Sequence, residues 1–352
     1  MATTTQGLED IVATNSRICD LDGKLGKLTY FGVDIHDLAR SSSFEETAYL
    51  LWHGALPTGA QLAEVTKQLC TNRTLPGRIV DLMRLLPMTT SPMDVLRTTV
   101  SALSAFDANL YDKSTVANEQ RAIRLTATIP TMIANWERIR SGKEIVEPLT
   151  DHTHATNFLY MLTGKMPDEY SAHALDVALI LHADHELNAS TFAARVSAGT
   201  LADMYAAITS AIGALSGPLH GGANEQVMRM LLRIGEVERA EVYMQDALSR
   251  KERIMGFGHR VYRTEDPRAT HLRTMSEELG KRNNDTRWYD ISRQIERYIK
   301  AHKRLNANVD FYSASVYYML GIPIDFDTRL IRPRAEYVGA KVTEYVPLDE
   351  RE

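Results

Sequence analysis

Only two cysteines, Cys19 and Cys70, occur in 352 residues. Two thiols cannot build a disulfide framework and do not make a plausible zinc set, and their scarcity fits a reducing compartment. No apolar run approaches the roughly 18 residues of a transmembrane helix. The opening stretch MATTTQGLED has neither a basic patch nor an apolar core, so no secretory leader is expected and a cytoplasmic location is. The net charge of −5 gives no electrostatic reason to expect nucleic acid or an anionic membrane as partner. Strand-like alternation is nearly absent after residue 40. Without alternating strand and helix, a dinucleotide-binding or barrel fold is disfavoured. Internal repeats, low-complexity tracts and Gly/Ser linkers are missing too.

What is present is mostly helix. Lys27–Phe31 alternates between glycines and suggests a small hairpin. From Ser43 onward the punctuation is helical. Ser43–Phe44–Glu45–Glu46 has the form of a capping box for a helix to His53, ended by Gly54. Thr58 caps a helix to about Cys70. Ser91 followed by Pro92 opens a helix to about Phe106. Glu119–Ser141 is long and periodic, with a kink expected at Pro130. Pro167–Asp168 leads into a helix reaching His182, and Leu201–Leu215 is small, apolar and suited to close packing. A length of 352 residues is ample for a large core and suggests two domains.

Two histidines stand against breaks in the helical pattern. His185 precedes Glu186, Leu187 and Asn188, the last a candidate cap. His220 lies in Ser216–Gly217–Pro218–Leu219–His220–Gly221–Gly222, where the glycines allow a close backbone approach to whatever His220 touches. Two further stretches are Gly256–Arg268, GFGHRVYRTEDPR, and Asn308–Ser315, NVDFYSAS. The clusters His182/His185/Glu186 and Asp151/His152/His154 do not have a zinc-enzyme pattern, and no metal is expected. GFGHRV lacks the third glycine and the preceding strand of a dinucleotide fingerprint.

The HGGAN, GFGH…DPR and NVD stretches, in this order and at these separations, resemble the citrate synthase family. GFGHRVYRTEDPR is the most specific of the three, and the resemblance extends from near Gly7 to Gly339. It implies an all-α, two-domain helical fold with the active-site cleft between the domains. The large domain would comprise residues 1–220 and 316–352, and the smaller, mobile one 221–315. It also implies condensation of acetyl-CoA with oxaloacetate, through citryl-CoA, to citrate and CoA. The thioester is a co-substrate and no permanently bound cofactor is implied.

That reaction needs a base for a weak carbon acid, a donor to the thioester oxygen, a donor to the ketone, and cations around a dicarboxylate. The resemblance assigns the base to Asp310, the enol-stabilising donor to His220 and the carbonyl-polarising donor to His259. It gives carboxylate binding to His185 and Arg268, and makes Arg332 the arginine that reaches into the partner subunit's site of a homodimer. The acyl-CoA would lie along Met255, Gly256, Phe257 and Gly258, with Lys303 and Arg304 as candidates for its phosphates. Read without the resemblance, Asp310 serves equally well as a helix cap, Arg268 as a solvated helix-start residue and His185 as a structural one. A propionyl-CoA-using 2-methylcitrate synthase fits the same motifs, since one methylene changes only the pocket beside the base.

One departure stands out. Relatives carry a helical segment between the counterparts of Asp325 and Arg329, with an arginine for a substrate carboxylate. Here only Phe326, Asp327 and Thr328 stand between them. The missing piece is on the order of 25 residues, about 35 Å of helix. Its loss should remove one cationic clamp and uncover apolar core. This motivates a different-class alternative, an impaired or non-catalytic dimeric homologue. Asn306–Ala307 replaces a Tyr–Pro common before NVD and should loosen the loop before Asp310.

Overall fold

A computed structural model describes residues 12–217, 220–259, 261–325 and 334–351. The chain begins with β1 (Val12–Ser16), β2 (Cys19–Asp22), β3 (Lys27–Tyr30) and β4 (Val33–Asp34). Strands β2, β3 and β4 form an antiparallel sheet, so the expected hairpin is there with a third strand added. Next come α1 (Ile35–Ser41), α2 (Phe44–His53), α3 (Gly59–Thr71), α4 (Gly77–Leu85) and α5 (Pro92–Leu103). The middle of the chain holds α6 (Thr115–Arg140), α7 (His154–Thr163), α8 (Glu169–His182), α9 (Ala189–Gly199) and α10 (Met204–Leu215). It continues with α11 (Ala223–Ile234), α12 (Ala240–Ser249), α13 (Pro267–Arg282), α14 (Arg287–Lys303) and α15 (Val309–Met319). Strand β5 (Arg334–Tyr337) returns to pair parallel with β1. The molecule is thus all-α with minor strands, as expected; β5 is the strand the late sequence did not announce.

Most helix starts follow from their caps, each worth about 1 kcal/mol. Thr58 and Gln61 form a complete capping box. Asp168 and Asn188 accept backbone N–H groups at the starts of α8 and α9. Ser43 accepts from Glu46 N, but the other half of the expected box is not made. The Glu46 carboxylate instead takes bonds from Tyr345 and Arg351, tying the last described residues to α2. The helix expected to reach Phe106 ends at Leu103 and continues as a 3-10 turn. The one expected at Leu201 starts at Met204, because Asp203 caps it. Pro130 sits inside an α6 that runs on to Arg140.

One apolar cluster joins β3, α1, α7, α8, α11, α13, α14 and α15; a second joins α4, α5, α6 and α10. Burial at roughly 25 cal/mol per Å² makes such clusters the main source of stability. The first carries the site. An apolar groove lined by Phe158, Leu175, Leu179, Met228, Tyr317 and Ile324 opens beside the last residues before the expected deletion. No helix among the described residues is long and apolar enough to cross a membrane.

Candidate active site

His220 lies in the turn between α10 and α11 and is buried. Its Nε2 accepts the backbone N–H of Ser190, in the first turn of α9, at 3.0 Å. A neutral ring accepting at Nε2 must carry its proton on Nδ1. Burial lowers the His220 pKa to about 4, so the ring is neutral at physiological pH. Nδ1 is buried with no hydrogen-bond partner among the described residues. A buried N–H donor without an acceptor is costly in isolation and suited to an oxygen brought by a ligand.

His259 is fixed in the opposite sense. Its Nδ1 accepts backbone N–H groups from Val261 at 3.0 Å and Tyr262 at 3.1 Å. The neutral ring therefore presents its proton on Nε2. His185, also buried, stands edge-on to His259 with ring centroids 5.3 Å apart, and Tyr262 lies 4.7 Å from His259. The loop after α8 and the GFGH loop thus meet through these rings.

Arg268 is 2% exposed, so it is not a solvated helix-start residue. Its Nε and Nη2 donate to the Asp266 carboxylate at 3.0 and 2.8 Å. Burial opposes both charges most strongly. The pairing outweighs it, so the Asp266 carboxyl sits below its usual range and the Arg268 guanidinium is held protonated. Asp266 also caps α13 and accepts the backbone N–H of Val309 at 3.2 Å. It therefore joins the arginine to the helix that carries Asp310. Asp266 was missed as a site residue, although the D-P-R sequence, a cap followed by proline at the first helical position, marks it.

Asp310 is in the first turn of α15, half-buried. Asn308 is the cap, accepting from Asp310 N at 3.0 Å. The carboxylate of Asp310 is therefore not needed for capping. Asn308 also donates through Nδ2 to Gly258 O and through its backbone N to Gly256 O, each at 2.9 Å. Gly258 N donates to Asn306 O, and Phe257 bridges Ala307. The loop before Asp310 is thus tied to residues 256–258 rather than left loose. Gly256 has φ 82°, and a Cβ there would lie 2.8 Å from Phe311 Cδ2. Only glycine allows this approach. Met255 and Phe257 are half-buried, and the Phe257 ring packs 4.5 Å from Phe311. Lys303 and Arg304 are exposed at the end of α14, just before this loop. Arg332 lies outside the described residues, as does the expected deletion. No group of three or more His, Cys, Asp or Glu among the described residues is placed to hold a metal.

Two oppositely fixed neutral imidazoles, a half-buried carboxylate at a helix start and a buried arginine are the inventory for carbon–carbon bond formation through an enol. The family model for the citrate synthase C-terminal domain matches residues 7–332. The chain belongs to the citrate synthase family. It is 47% identical to a citrate synthase of Haloferax volcanii, over 98% of each chain. It is 39% identical to 2-methylcitrate synthase 1 of Corynebacterium glutamicum, again over 98% of each. Among solved structures it resembles the citrate synthase of Pyrobaculum aerophilum, with a TM-score of 0.85, 36% identity and coverage of 98% of this chain and 95% of that one. It also resembles the Thermoplasma acidophilum enzyme, solved with carboxymethyl coenzyme A and oxaloacetate, with a TM-score of 0.83, 31% identity and 98% coverage of both. Membership makes it an enzyme of the type that condenses acetyl-CoA with oxaloacetate.

Proposed function

We propose that Asp310 takes a methyl proton from acetyl-CoA while Nδ1–H of His220 donates to the thioester oxygen. The resulting enolate carbon attacks the oxaloacetate ketone, which Nε2–H of His259 polarises, and the alkoxide that forms takes up the proton that Asp310 removed. Water hydrolyses the citryl thioester, giving citrate and free CoA. Arg268 and His185 hold the dicarboxylate. The observation that carries this reading is the pair of fixed tautomers: each ring spends one nitrogen as an acceptor of backbone N–H, leaving the other as a donor. Such preorganised donors cost no reorganisation as charge develops on the oxygen.

The acyl-CoA lies along Met255–Gly258 with Lys303 and Arg304 near its phosphates; the direct link from residues 256–258 to the cap of α15 supports this. No permanently bound cofactor is required, because the thioester itself activates the methyl group. Residues 221–315 act as the smaller domain, closing on 1–220 and 316–352. The active form is a homodimer in which Arg332 completes the partner's site. In support, α9 buries none of its residues, although it carries Phe192, Val196 and four alanines. Such a face is expected to be covered by a second copy. Cys19 and Cys70 are free thiols, which fits work in the cytoplasm.

The test is thiol release from acetyl-CoA with oxaloacetate, repeated with propionyl-CoA. The expected result is turnover, with acetyl-CoA the better substrate. A preference for propionyl-CoA would favour the 2-methylcitrate reading. Folded dimer without turnover, beside an active variant in which the missing segment is restored, would make the chain an impaired homologue. For the shared site, mixed His220→Ala and Arg332→Ala subunits should recover activity that neither has alone. No recovery would refute it.

A further inference from the structure

The proposed donor and base sit on different helical segments. His220 precedes α11 and Asp310 begins α15. The described contacts show one polar link between those two helices. Asn224, four residues after His220, donates through Nδ2 to Ser313 Oγ at 2.9 Å. Ser313 is three residues after Asp310. Both side chains are buried, Asn224 at 4% exposure and Ser313 at 0%. The direction of the bond is determined. Ser313 gives its single proton to Val309 O at 2.8 Å, so it can only accept from Asn224. Val309 in turn donates its N–H to Asp266, the partner of Arg268. A directed chain thus runs from the His220 segment, through the first turn of α15, to the buried arginine.

We propose that Asn224 and Ser313 are positioning residues that set Asp310 against His220 for proton abstraction. This rests on the roles given above to Asp310 and His220. The remaining contact between α11 and α15 is apolar, built by residues such as Val227, Leu231, Phe311 and Ala314. Apolar contact fixes how far apart two helices stand but tolerates sliding along their axes. A buried hydrogen bond does not, because a shift of about 1 Å leaves its buried donor unpaired. A misplacement of that size between reacting groups costs up to about 100-fold in rate. Neither side chain is assigned contact with substrate.

The test compares Asn224→Ala, Ser313→Ala, the double variant and Ser313→Thr, which keeps the hydroxyl. The expected result is a fall in kcat of about 10- to 100-fold in each alanine variant. The double variant should be no worse than the weaker single one, because both single variants remove the same Asn224–Ser313 bond. KM for oxaloacetate should hold steady, and Ser313→Thr should retain most of the activity. The deciding readout is the deuterium isotope effect on kcat with methyl-deuterated acetyl-CoA. It should rise in the alanine variants as proton abstraction becomes slower than later steps. Being a ratio from one sample, it does not depend on the fraction of chain that is folded. An unchanged isotope effect, whether kcat falls or not, overturns the proposal and leaves the pair a packing element. Wild-type protein without turnover would overturn the underlying reading and this proposal with it; active wild type with silent variants overturns the proposal alone.

Discussion

Replacing Ser190 by proline would isolate the tautomer of His220. The Ser190 N–H lies in the first turn of α9, where it has no intrahelical acceptor, and it donates to His220 Nε2 at 3.0 Å. Proline is tolerated in that turn, although it disfavours the helical conformation at Ala189. The substitution deletes one buried neutral hydrogen bond, worth about 1–1.5 kcal/mol. That is the energy holding the ring with its proton on Nδ1. Removing it shifts the tautomer ratio about tenfold, since about 1.4 kcal/mol is a factor of ten. The Nδ1–H fraction, and kcat with it, is therefore expected to fall by a few-fold and at most about tenfold. Ser190→Ala is the control. It loses the 2.6 Å bond from the Ser190 hydroxyl to Asn188 Oδ1 but keeps the N–H, and its kcat should stay near that of the wild type. Thiol release gives kcat, nitrogen NMR of the imidazole gives the tautomer, and a thermal melt monitors α9. If Ser190→Pro folds and its kcat matches Ser190→Ala, or if Nδ1–H stays dominant, the backbone N–H does not set the donor.

Gly256→Ala should destabilise the fold by about 2–4 kcal/mol, from a left-handed backbone and a clash with Phe311, and should lower kcat by displacing the cap of α15; a denaturant midpoint and kcat check both. Acid should unfold the protein early. Burial holds His154 near pKa 3 and His220 and His271 near 4, whereas an unfolded histidine titrates near 6.5. Each therefore contributes stability above pH 6.5 that is lost as pH falls toward 4, and toward 3 for His154. The urea midpoint should drop across that window, and less steeply in His220→Gln; equal slopes would refute the assignment. Restoring the relatives' segment between Asp325 and Arg329 should lower KM for oxaloacetate about tenfold or more, as a charge-assisted hydrogen bond is worth about 1.5–3 kcal/mol. KM for acyl-CoA should change little, and dye binding to the groove at Leu179 and Ile324 should fall.

Local signals were the legible ones. Thr58, Asp168 and Asn188 announced helix starts because a cap acts within three residues of itself. The three histidine and aspartate motifs were legible as side chains of suitable chemistry beside glycine or a helix start. The support around them was not. Ser190 acts through a backbone N–H, which every residue but proline has, so nothing in the sequence singles it out. Asn224 and Ser313 meet only because α11 packs on α15, a contact between segments far apart in the chain. The β1–β5 pair joins opposite ends of the chain in parallel, and four-residue strands carry too little pattern to reveal it. Glu46 shows the reverse case. Its spacing from Ser43 fitted a local box, and the ion pair with Arg351 won because both groups are buried and a bare carboxylate there would be costly.

The charge balance of the site gives the missing arginine its weight. Arg268 is the described guanidinium assigned to the substrate, and Asp266 already neutralises it at hydrogen-bond distance in a buried setting. Nε and Nη2 are committed to that pair, and no hydrogen bond among the described residues uses Nη1. Arg268 can therefore orient a carboxylate through Nη1 while adding little net positive potential. His220 and His259, as neutral donors, add none. A dianionic substrate entering such a site must be balanced by cations from elsewhere, since two uncompensated carboxylates in a buried cleft would cost several kcal/mol. With the segment after Asp325 absent, the role proposed for Arg332 in the partner's site would carry that burden. Dilution below the dimer dissociation constant should then raise KM for oxaloacetate before it lowers the folded fraction. A KM that stays constant while the dimer dissociates would show that the cation comes from within one chain.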